Sequence, residues 1–263
     1  MNLTVTYIHH SGYLIESAHA LFLFDFVEGT LPPLAPDKKL FVFVSHRHQD
    51  HFSPDIFELV HSHTDTVFVL SSDIRPNRVP ESAKKKTFFM KPHKVLEFPQ
   101  ESTDADSFAL RVTTFKSTDE GVAFVLELRD ASCISHSFPD REGNFSSVIY
   151  HAGDLNDWRW NGEPLSWNNN MSTNYKRELK KIHDAGFCPD IAMLPLDGRQ
   201  DDLFYLGIDE FMDIVGAQKI FSMHFWGDFS VISRMKALDC SAGYRERIVD
   251  LEADGQTISF ENA

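Results

Sequence analysis

A short, continuous apolar run, Lys39–Val44 (KLFVFV), leads directly into residues 45–51 (SHRHQDH). The run is rich in aromatic and β-branched residues, which predicts a strand buried on both faces. Ligand-type side chains then occur four times within six residues, at His46, His48, Asp50 and His51. Sites in α/β proteins gather at the carboxyl ends of strands, so this junction predicts a metal site at a sheet edge.

Two further strand ends carry polar side chains of the same kind. A strand predicted to end at Tyr150 precedes Asp154, and one predicted to end at Met223 precedes His224. Because the carboxyl ends of parallel strands meet at one edge of a sheet, we expect these side chains to approach residues 46–51. A polar loop with solvated histidines is the competing interpretation of residues 45–51.

The chain is predicted to form a single α/β domain over residues 1–263, because no low-complexity linker interrupts it. Apolar runs and alternation predict strands at 3–8, 13–16, 20–26, 39–44, 66–70, 87–90, 95–98, 108–115, 122–128, 147–150, 191–194, 219–223 and 258–260. Helical spacing and capping residues predict helices from residue 53 and at 172–186, 209–215 and 230–238. The polar residues 130–144 predict a surface loop.

The composition argues against several classes of protein. The three cysteines, Cys133, Cys188 and Cys240, are far apart and show no CxxC spacing, which argues against a disulfide framework and favours a reducing, cytoplasmic compartment. The net charge of −14 disfavours a nucleic-acid partner. No secretory signal and no membrane span are expected. A small-molecule substrate is therefore the expected partner.

Residues 46–51 match the HxHxDH motif, and the chain resembles the metallo-β-lactamase superfamily. Residues 24–26 (FDF) look like its early strand-end aspartate, 151–154 (HAGD) like its bridging aspartate and 222–225 (SMHF) like its last histidine ligand. Residues 7–15 (YIHHSGYLI) also resemble the first hairpin of the lactonase-like, RNase Z-like branch. The resemblance implies a four-layer αββα sandwich of the metallo-β-lactamase type.

The same resemblance implies a centre for one or two Zn²⁺ ions. Its ligand positions, transferred to this chain, are His46 and His48 for a first ion and Asp50, His51 and His224 for a second. Asp154 would bridge the two ions. Asp25 would orient the histidine loop through hydrogen bonds, unless it is simply an aspartate in the turn after a strand.

The chain departs from the superfamily pattern at one ligand position. The superfamily usually supplies another histidine to the first metal just before a Gly-containing strand, whereas residues 114–122 here read TFKSTDEGV. Asp119 could replace that histidine as an oxygen ligand, Ser117 or Thr118 could line the site without binding, or the first site could be open. An oxygen ligand would shift the preference toward harder ions such as Mn²⁺ or Fe²⁺.

Aromatic and basic residues near the presumed ligands suggest a substrate pocket. Trp158 and Trp226 each follow a ligand position closely, and could form the pocket wall or pack in the interior. Arg199 follows another strand end and could clamp an anionic substrate or pair with a neighbouring aspartate. His9 and His10 end the first strand; one of them could approach the site, but a structural role is favoured.

Hydrolysis is the chemistry that these residues favour. A bound metal lowers the pKa of its water to about 7, which provides a hydroxide nucleophile, and Asp50 is placed to orient or deprotonate that water. An ester, lactone, amide or phosphodiester of a small molecule is the expected substrate. The alternative is a non-hydrolytic protein on the same fold, either a metal-binding sensor or an iron redox protein.

Overall fold

The computed structural model describes residues 2–99, 108–130 and 147–261. The loop expected at residues 130–144 therefore lies, apart from its first residue, outside the described residues, as does Cys133. Within the described part, the strands are β1 (Asn2–His9), β2 (Gly12–Glu16), β3 (Ala20–Phe24), β4 (Lys39–Val44), β5 (Thr66–Ser71), β6 (Thr87–Met90), β7 (Val95–Phe98), β8 (Phe108–Lys116), β9 (Val122–Asp130), β10 (Ser147–His151), β11 (Ile191–Pro195), β12 (Lys219–Met223) and β13 (Thr257–Glu261). The α-helices are α1 (Leu59–Ser62), α2 (Glu81–Lys84), α3 (Leu165–Asp184), α4 (Leu206–Ile214) and α5 (Ser230–Ala237).

The strands form two mixed sheets. The first has the order β13-β1-β2-β3-β4-β5-β6, antiparallel from β13 to β3 and parallel from β3 to β6. The second has the order β12-β11-β10-β9-β8-β7, parallel from β12 to β10 and antiparallel from β10 to β7. As a result, β1, β3 and β4 run in one direction and end at one edge of the first sheet.

Strand β4 shows why the two sheets face each other. Its residues Phe41 and Phe43 belong to the large core between the sheets, and the ring of Phe43 lies 5.3 Å from that of Phe124 on β9. The alternate residues Leu40, Val42 and Val44 point to the opposite face. Both faces of β4 are buried, as its continuous apolar sequence predicted.

Helical segments cover the outer face of each sheet and complete four layers. On the first sheet, a 3₁₀ turn at Pro54–Glu58 and α1 bring Phe57 against Phe68 of β5, with ring centroids 5.1 Å apart. On the second sheet, Phe211 of α4 stacks on Tyr150 of β10 at 5.0 Å. This αββα arrangement confirms the fold class predicted from the sequence.

The predicted strands are all present, and their ends differ from the predictions by at most two residues. The helices differ more. Helix α3 begins at Leu165 rather than 172. The prediction missed its first turns (LSWNNNM) because they are rich in asparagine, which has a weak helix propensity, and show no apolar stripe. Helix α4 begins at Leu206 rather than 209, and the segment after Ser53 is mostly 3₁₀.

No helix in the described ranges has the combination of length and hydropathy needed to cross a bilayer. Cys188 and Cys240 are both exposed, free thiols.

Candidate metal centre

The loop after β4 folds into a tight turn that faces the interior. The amide of Ser45 donates a hydrogen bond to Oδ1 of Asp25 (2.7 Å), and its hydroxyl donates to Oδ2 (2.6 Å). The amide of His51 donates to the carbonyl of His48 (3.1 Å), which closes the turn. His46 and His51 are fully buried. The solvated-loop interpretation of residues 45–51 therefore does not describe this chain.

Eight side chains from five separate segments converge at this edge in two clusters. Within each cluster the potential ligand atoms lie within 4.8 Å of one another. The first cluster consists of His46, His48, Asp119 and Asp154, and the second of His10, Asp50, His51 and His224.

Asp154 stands between the two clusters. Its Oδ2 lies 3.4 Å from Nε2 of His46 in the first cluster. Its Oδ1 lies 3.2 Å from Nε2 of His51 and 3.7 Å from Nε2 of His224 in the second. One carboxylate thus presents one oxygen to each cluster, which is the arrangement that a bridging ligand requires.

The second cluster has the spacing of a coordination sphere. The Oδ2 of Asp50 lies 3.5 Å from Nε2 of His10, 3.8 Å from Nε2 of His51 and 3.8 Å from Nε2 of His224. A tetrahedral ion with metal–ligand distances of about 2.0–2.2 Å places its ligand atoms roughly 3.4 Å apart. These separations are longer than good hydrogen bonds but suit atoms that share a central cation.

Unpartnered buried atoms give an independent test of that fit. Nε2 of His10, Nε2 of His51 and Oδ1 of Asp154 are buried and have no hydrogen-bond partner. A buried polar atom without a hydrogen bond costs about 1–3 kcal/mol, so three of them at one point are consistent with a site built to bind a cation. Three imidazoles with two carboxylates form a donor set that suits zinc, iron or manganese. The residues present therefore fit a divalent cation.

A network behind the clusters holds the imidazoles in orientation. Oδ2 of Asp25 lies 2.7 Å from Nδ1 of His51, and Oδ2 of Asp197 lies 3.0 Å from Nδ1 of His224. In both cases the carboxylate accepts the Nδ1 proton, so that in the neutral ring Nε2 is the lone-pair donor toward the cluster. The structure thus places Asp25 where the resemblance implied, and adds Asp197, which sequence analysis considered only as a partner for Arg199.

The surroundings shift the pKa values of the site's histidines in opposite directions. Burial lowers the pKa of His46 to about 4 and also lowers the pKa of His10, so both imidazoles stay neutral at neutral pH. Burial alone would raise the pKa of Asp154, but His51, His224 and His46 hold it well below its usual value. Burial would also lower the pKa of His51, yet the flanking carboxylates Asp154 and Asp25 raise it well above the usual range. A cation between these groups would take over the charge balance of that imidazolium.

Backbone strain concentrates at the same place. Among the described residues, six non-glycine residues have a positive φ, and four of them belong to this site: His10 (52°), Asp25 (40°), His224 (64°) and Trp226 (53°). Such conformations cost about 1–3 kcal/mol each and persist where the surroundings hold them. The strained backbone conformations therefore lie in the turns that carry side chains of this site.

Asp119 occupies the position where the superfamily histidine is missing. It lies in the β8–β9 turn, and its Oδ2 is 3.7 Å from Nδ1 of His48. The neighbouring Glu120 accepts two hydrogen bonds from the guanidinium of Arg47, at 2.7 and 2.6 Å, which ties this turn to the histidine loop. Of the three options left open by the sequence, the geometry supports Asp119 as the fourth group of the first cluster.

His10 is the site residue that sequence analysis assigned differently. A structural role was favoured for both His9 and His10, but only His9 has one, since its ring pairs with Asp254 at 2.8 Å. His10 lies in the tight turn after β1 and enters the second cluster. The strand directions explain its position, because β1 runs parallel to β4 and so ends at the same edge.

Replacing His10 by asparagine should weaken binding of the second metal at least about tenfold, because a donor is lost while the left-handed backbone remains tolerable. Chelator-competition titration would measure this, with metal per chain determined by mass spectrometry. His9→Asn is the matched control and should bind metal like the native chain. Equal affinities for the two variants would remove His10 from the centre.

A pocket of about 350 Å³ opens onto both clusters. Its floor includes His48, Asp50, Asp119, Asp154 and His224, and its walls are Trp158, Trp160, Trp167, Met171, Arg199 and Trp226. The three residues proposed from the sequence as pocket residues, Trp158, Trp226 and Arg199, all line it. Arg199 pairs with Asp197, which is one of the two alternatives considered for this residue.

Solved structures of metal-dependent enzymes share this fold. Igni18, a novel metallo hydrolase from the hyperthermophilic archaeon Ignicoccus hospitalis, is 17% identical over 100% of both chains, with a TM-score of 0.60. The isothiocyanate hydrolase from Delia radicum gut bacteria is 14% identical over 99% of both chains (TM-score 0.52). CmlA, a diiron beta-hydroxylase from Streptomyces venezuelae, is 10% identical over 84% of this chain and 44% of its own (TM-score 0.51).

These similarities define the class at the level of architecture. At such low identity they show the fold alone, and that fold is the metallo-β-lactamase type. No family model matches the sequence, and a search of curated proteins finds no match.

Proposed function

We propose that this protein is a metal-dependent hydrolase of a small molecule, acting on an ester, lactone, amide or phosphodiester bond. The observation that carries the proposal is the position of Asp154, which offers one oxygen to each of two ligand clusters at the floor of an open pocket. A paired site of this kind is suited to in-line attack on a polarised carbonyl or phosphoryl group.

The chain's own residues supply the rest of the chemistry. Two bound cations would supply an activated water nucleophile and a Lewis acid for the substrate oxygen. Burial would raise the pKa of Asp50, but the imidazoles of His10 and His51 hold it well below its usual value. This carboxylate stays ionised and lines the pocket, so it can accept a hydrogen bond from the attacking water and orient it.

We infer Zn²⁺ as the first candidate ion, with Mn²⁺ or Fe²⁺ as alternatives. The five imidazoles of the two clusters favour zinc, whereas the oxygen of Asp119 in the first cluster favours a harder ion. The two clusters differ in composition, and unequal affinities are therefore expected.

Asp119→His should convert the first cluster to a nitrogen-rich site and raise its preference for Zn²⁺ over Mn²⁺. Asp119→Ala should weaken that site at least about tenfold. Competition titrations with both ions would measure the affinities, and Asp55→Ala, on an exposed turn, is the control. If both Asp119 variants bind the two ions as the native chain and the control do, Asp119 is not a ligand.

A second candidate function is oxidation at a pair of iron ions. The oxygen ligand Asp119 favours it, and the fold is shared with the diiron beta-hydroxylase CmlA. Iron with visible absorption in the purified protein, together with oxygen consumption, would support this function over hydrolysis.

The hydrolase proposal is tested with metal-depleted protein reloaded separately with Zn²⁺, Mn²⁺ or Fe²⁺. A panel containing a lactone, an aryl ester, an anilide and a phosphodiester should show turnover of at least one substrate that returns with one of these ions. A loaded protein that hydrolyses none of them would overturn the proposal. Turnover that survives complete metal removal would overturn it equally.

We also propose that the protein is cytoplasmic, because its three cysteines are widely spaced. We propose that it has no nucleic-acid or membrane partner, because its net charge is −14. We propose placement in the lactonase-like, RNase Z-like branch on residues 7–15, whose turn provides His10.

A further inference from the structure

All four tryptophans of this chain line the pocket above the two clusters. They come from two distant segments, Trp158, Trp160 and Trp167 before and within the start of α3, and Trp226 after β12. The volume of about 350 Å³ is at the small end of the range of about 300–1,000 Å³ for small-molecule sites. The pocket therefore has room for a compact ligand.

The four indoles have different surroundings. Trp158 is nearly buried, donates its Nε1 proton to the carbonyl of Asp154 (2.9 Å), and packs 5.1 Å from the ring of His224. It supports the metal centre. Trp167 and Trp226 remain 37% and 52% exposed. The ring of Trp226 is contacted by the Arg199 guanidinium at 4.6 Å and by the ring of His10 at 4.4 Å, so Trp167 offers the more open flat surface. Indole faces of this kind favour planar, apolar partners.

Arg199 adds a cation at a defined position on the wall. Its guanidinium carbon lies 4.6 Å from the ring centroid of Trp226. Its Nε donates to both oxygens of the fully buried Asp197, at 2.9 and 3.0 Å, and Nη2 also donates to that carboxylate. The same carboxylate accepts the Nδ1 proton of His224 (3.0 Å). Arg199 is thus held by the residue that orients a presumed metal ligand.

The charge of the wall selects between possible ligands. Among the described lining residues outside the two clusters, Arg199 is the only one with a formal charge. Nη1 takes no part in the hydrogen bonds to Asp197 and is free to meet a ligand. A carboxylate can accept a charge-assisted hydrogen bond from Arg199, whereas an ammonium group would be repelled by it.

We propose that the pocket selects substrates with a planar aromatic group and an anionic oxygen group, the ring packing on the exposed surface of Trp167 and the anion on Arg199. This proposal rests on the proposed function for its reaction: the substrate would be a phosphodiester with an aryl group, or an aromatic ester, amide or lactone that carries a carboxylate in addition to the bond that is cleaved. Recognition by the wall, however, can be measured without turnover.

The test is calorimetric titration of the metal-loaded protein with phenylacetate, phenylacetamide, phenethylamine and acetate. Phenylacetate should bind about tenfold or more tightly than each of the others, since a charge-assisted hydrogen bond and the ring both contribute. Tighter binding of phenethylamine would overturn the proposal. So would equal affinities for acetate and phenylacetate.

Metal ions also attract carboxylates, so substitutions in the wall are needed to distinguish binding by Arg199 from binding by the metals. Arg199→Gln should lower phenylacetate affinity about tenfold and leave phenylacetamide within about twofold. Arg199→Lys should retain part of the carboxylate preference, and metal content measured in parallel verifies an intact centre. Arg234→Gln is the matched control, because Arg234 also stacks on an aromatic ring, Phe204 at 4.5 Å, but does not line the pocket. Unchanged phenylacetate binding in Arg199→Gln would assign the anion to the metals and overturn the role of Arg199.

The ring is tested by Trp167→Ala, which should weaken phenylacetate and phenylacetamide equally, by at least about fivefold, and leave acetate unchanged. An unchanged affinity for both aromatic probes would contradict packing on this wall.

Failure of the proposed function can be distinguished from failure of the proposed recognition. If the probes bind as expected but no panel substrate is hydrolysed, recognition by the wall stands and the hydrolase proposal fails. If hydrolysis depends on metal but not on Arg199 or Trp167, the hydrolase proposal stands and recognition by the wall fails.

Discussion

Asp154→Ala should abolish the paired metal centre and reduce any metal-dependent turnover by at least about a thousandfold. The reason is geometric: Asp154 is the one carboxylate among the described residues that lies within 4 Å of imidazoles in both clusters, at 3.4 Å from His46 and 3.2 Å from His51. Loss of several kcal/mol of transition-state stabilisation corresponds to a rate loss of this order. Metal content per chain and turnover of the best panel substrate would measure the effect.

The fold should survive this substitution, because the carboxylate of Asp25 still faces the imidazole of His51 at 2.7 Å and no packed apolar group is removed. Circular dichroism of the metal-free native and variant proteins would verify that. Asp184→Ala, at the exposed end of α3, provides a control with normal metal content and turnover. Retention of two ions per chain by Asp154→Ala would contradict the bridging arrangement.

Gly121→Ala should destabilise the protein by about 3 kcal/mol or more and weaken the first metal cluster. Gly121 has a φ of +75°, and a Cβ there would stand 2.0 Å from the carbonyl oxygen of Ser45 and 2.5 Å from Cβ of His46. The turn between β8 and β9 packs directly on the histidine loop, where the amide of Val122 donates to the carbonyl of Ser45 (2.9 Å). A methyl group at this contact must push the two loops apart and displace Asp119.

Denaturant unfolding of the metal-free protein would measure the stability change, and chelator competition would measure the metal affinity. Gly162→Ala is the matched control, since a Cβ at that position meets nothing within 4 Å and φ there is not positive. It should leave both quantities within error of the native protein. Native-like stability of Gly121→Ala would show that the histidine loop can move away without cost.

Much of the candidate centre could be predicted because its residues are local in sequence. His46, His48, Asp50 and His51 follow one buried strand within six residues, and their density is visible without any knowledge of the fold. Asp154 and His224 could be added because each follows a strand of its own. For Asp119 the sequence predicted only a set of options, since a turn aspartate is as common on a surface as in a site.

Other parts could not be predicted, for different physical reasons. The early start of α3 was missed because residues 165–171 lack apolar periodicity and contain three consecutive asparagines, which are weak helix formers. That part of α3 carries Trp167 and Met171 to the pocket, so the pocket wall was incomplete in the sequence prediction. The assignment of His10 required the order and direction of β1 to β4, which a hydrophobic pattern does not contain.

The sequence by itself determined the strands, the composition of the histidine loop and the kind of chemistry that this loop favours. These properties depend on side-chain period and on neighbours within a few residues, which the chain carries in its order. Only the tertiary structure decided that Asp154 faces two clusters, that His10 and Asp119 complete them, and that Asp197 connects His224 to Arg199. Those relations join segments far apart in the chain, and their distances are set by which strand ends the two packed sheets bring to one edge.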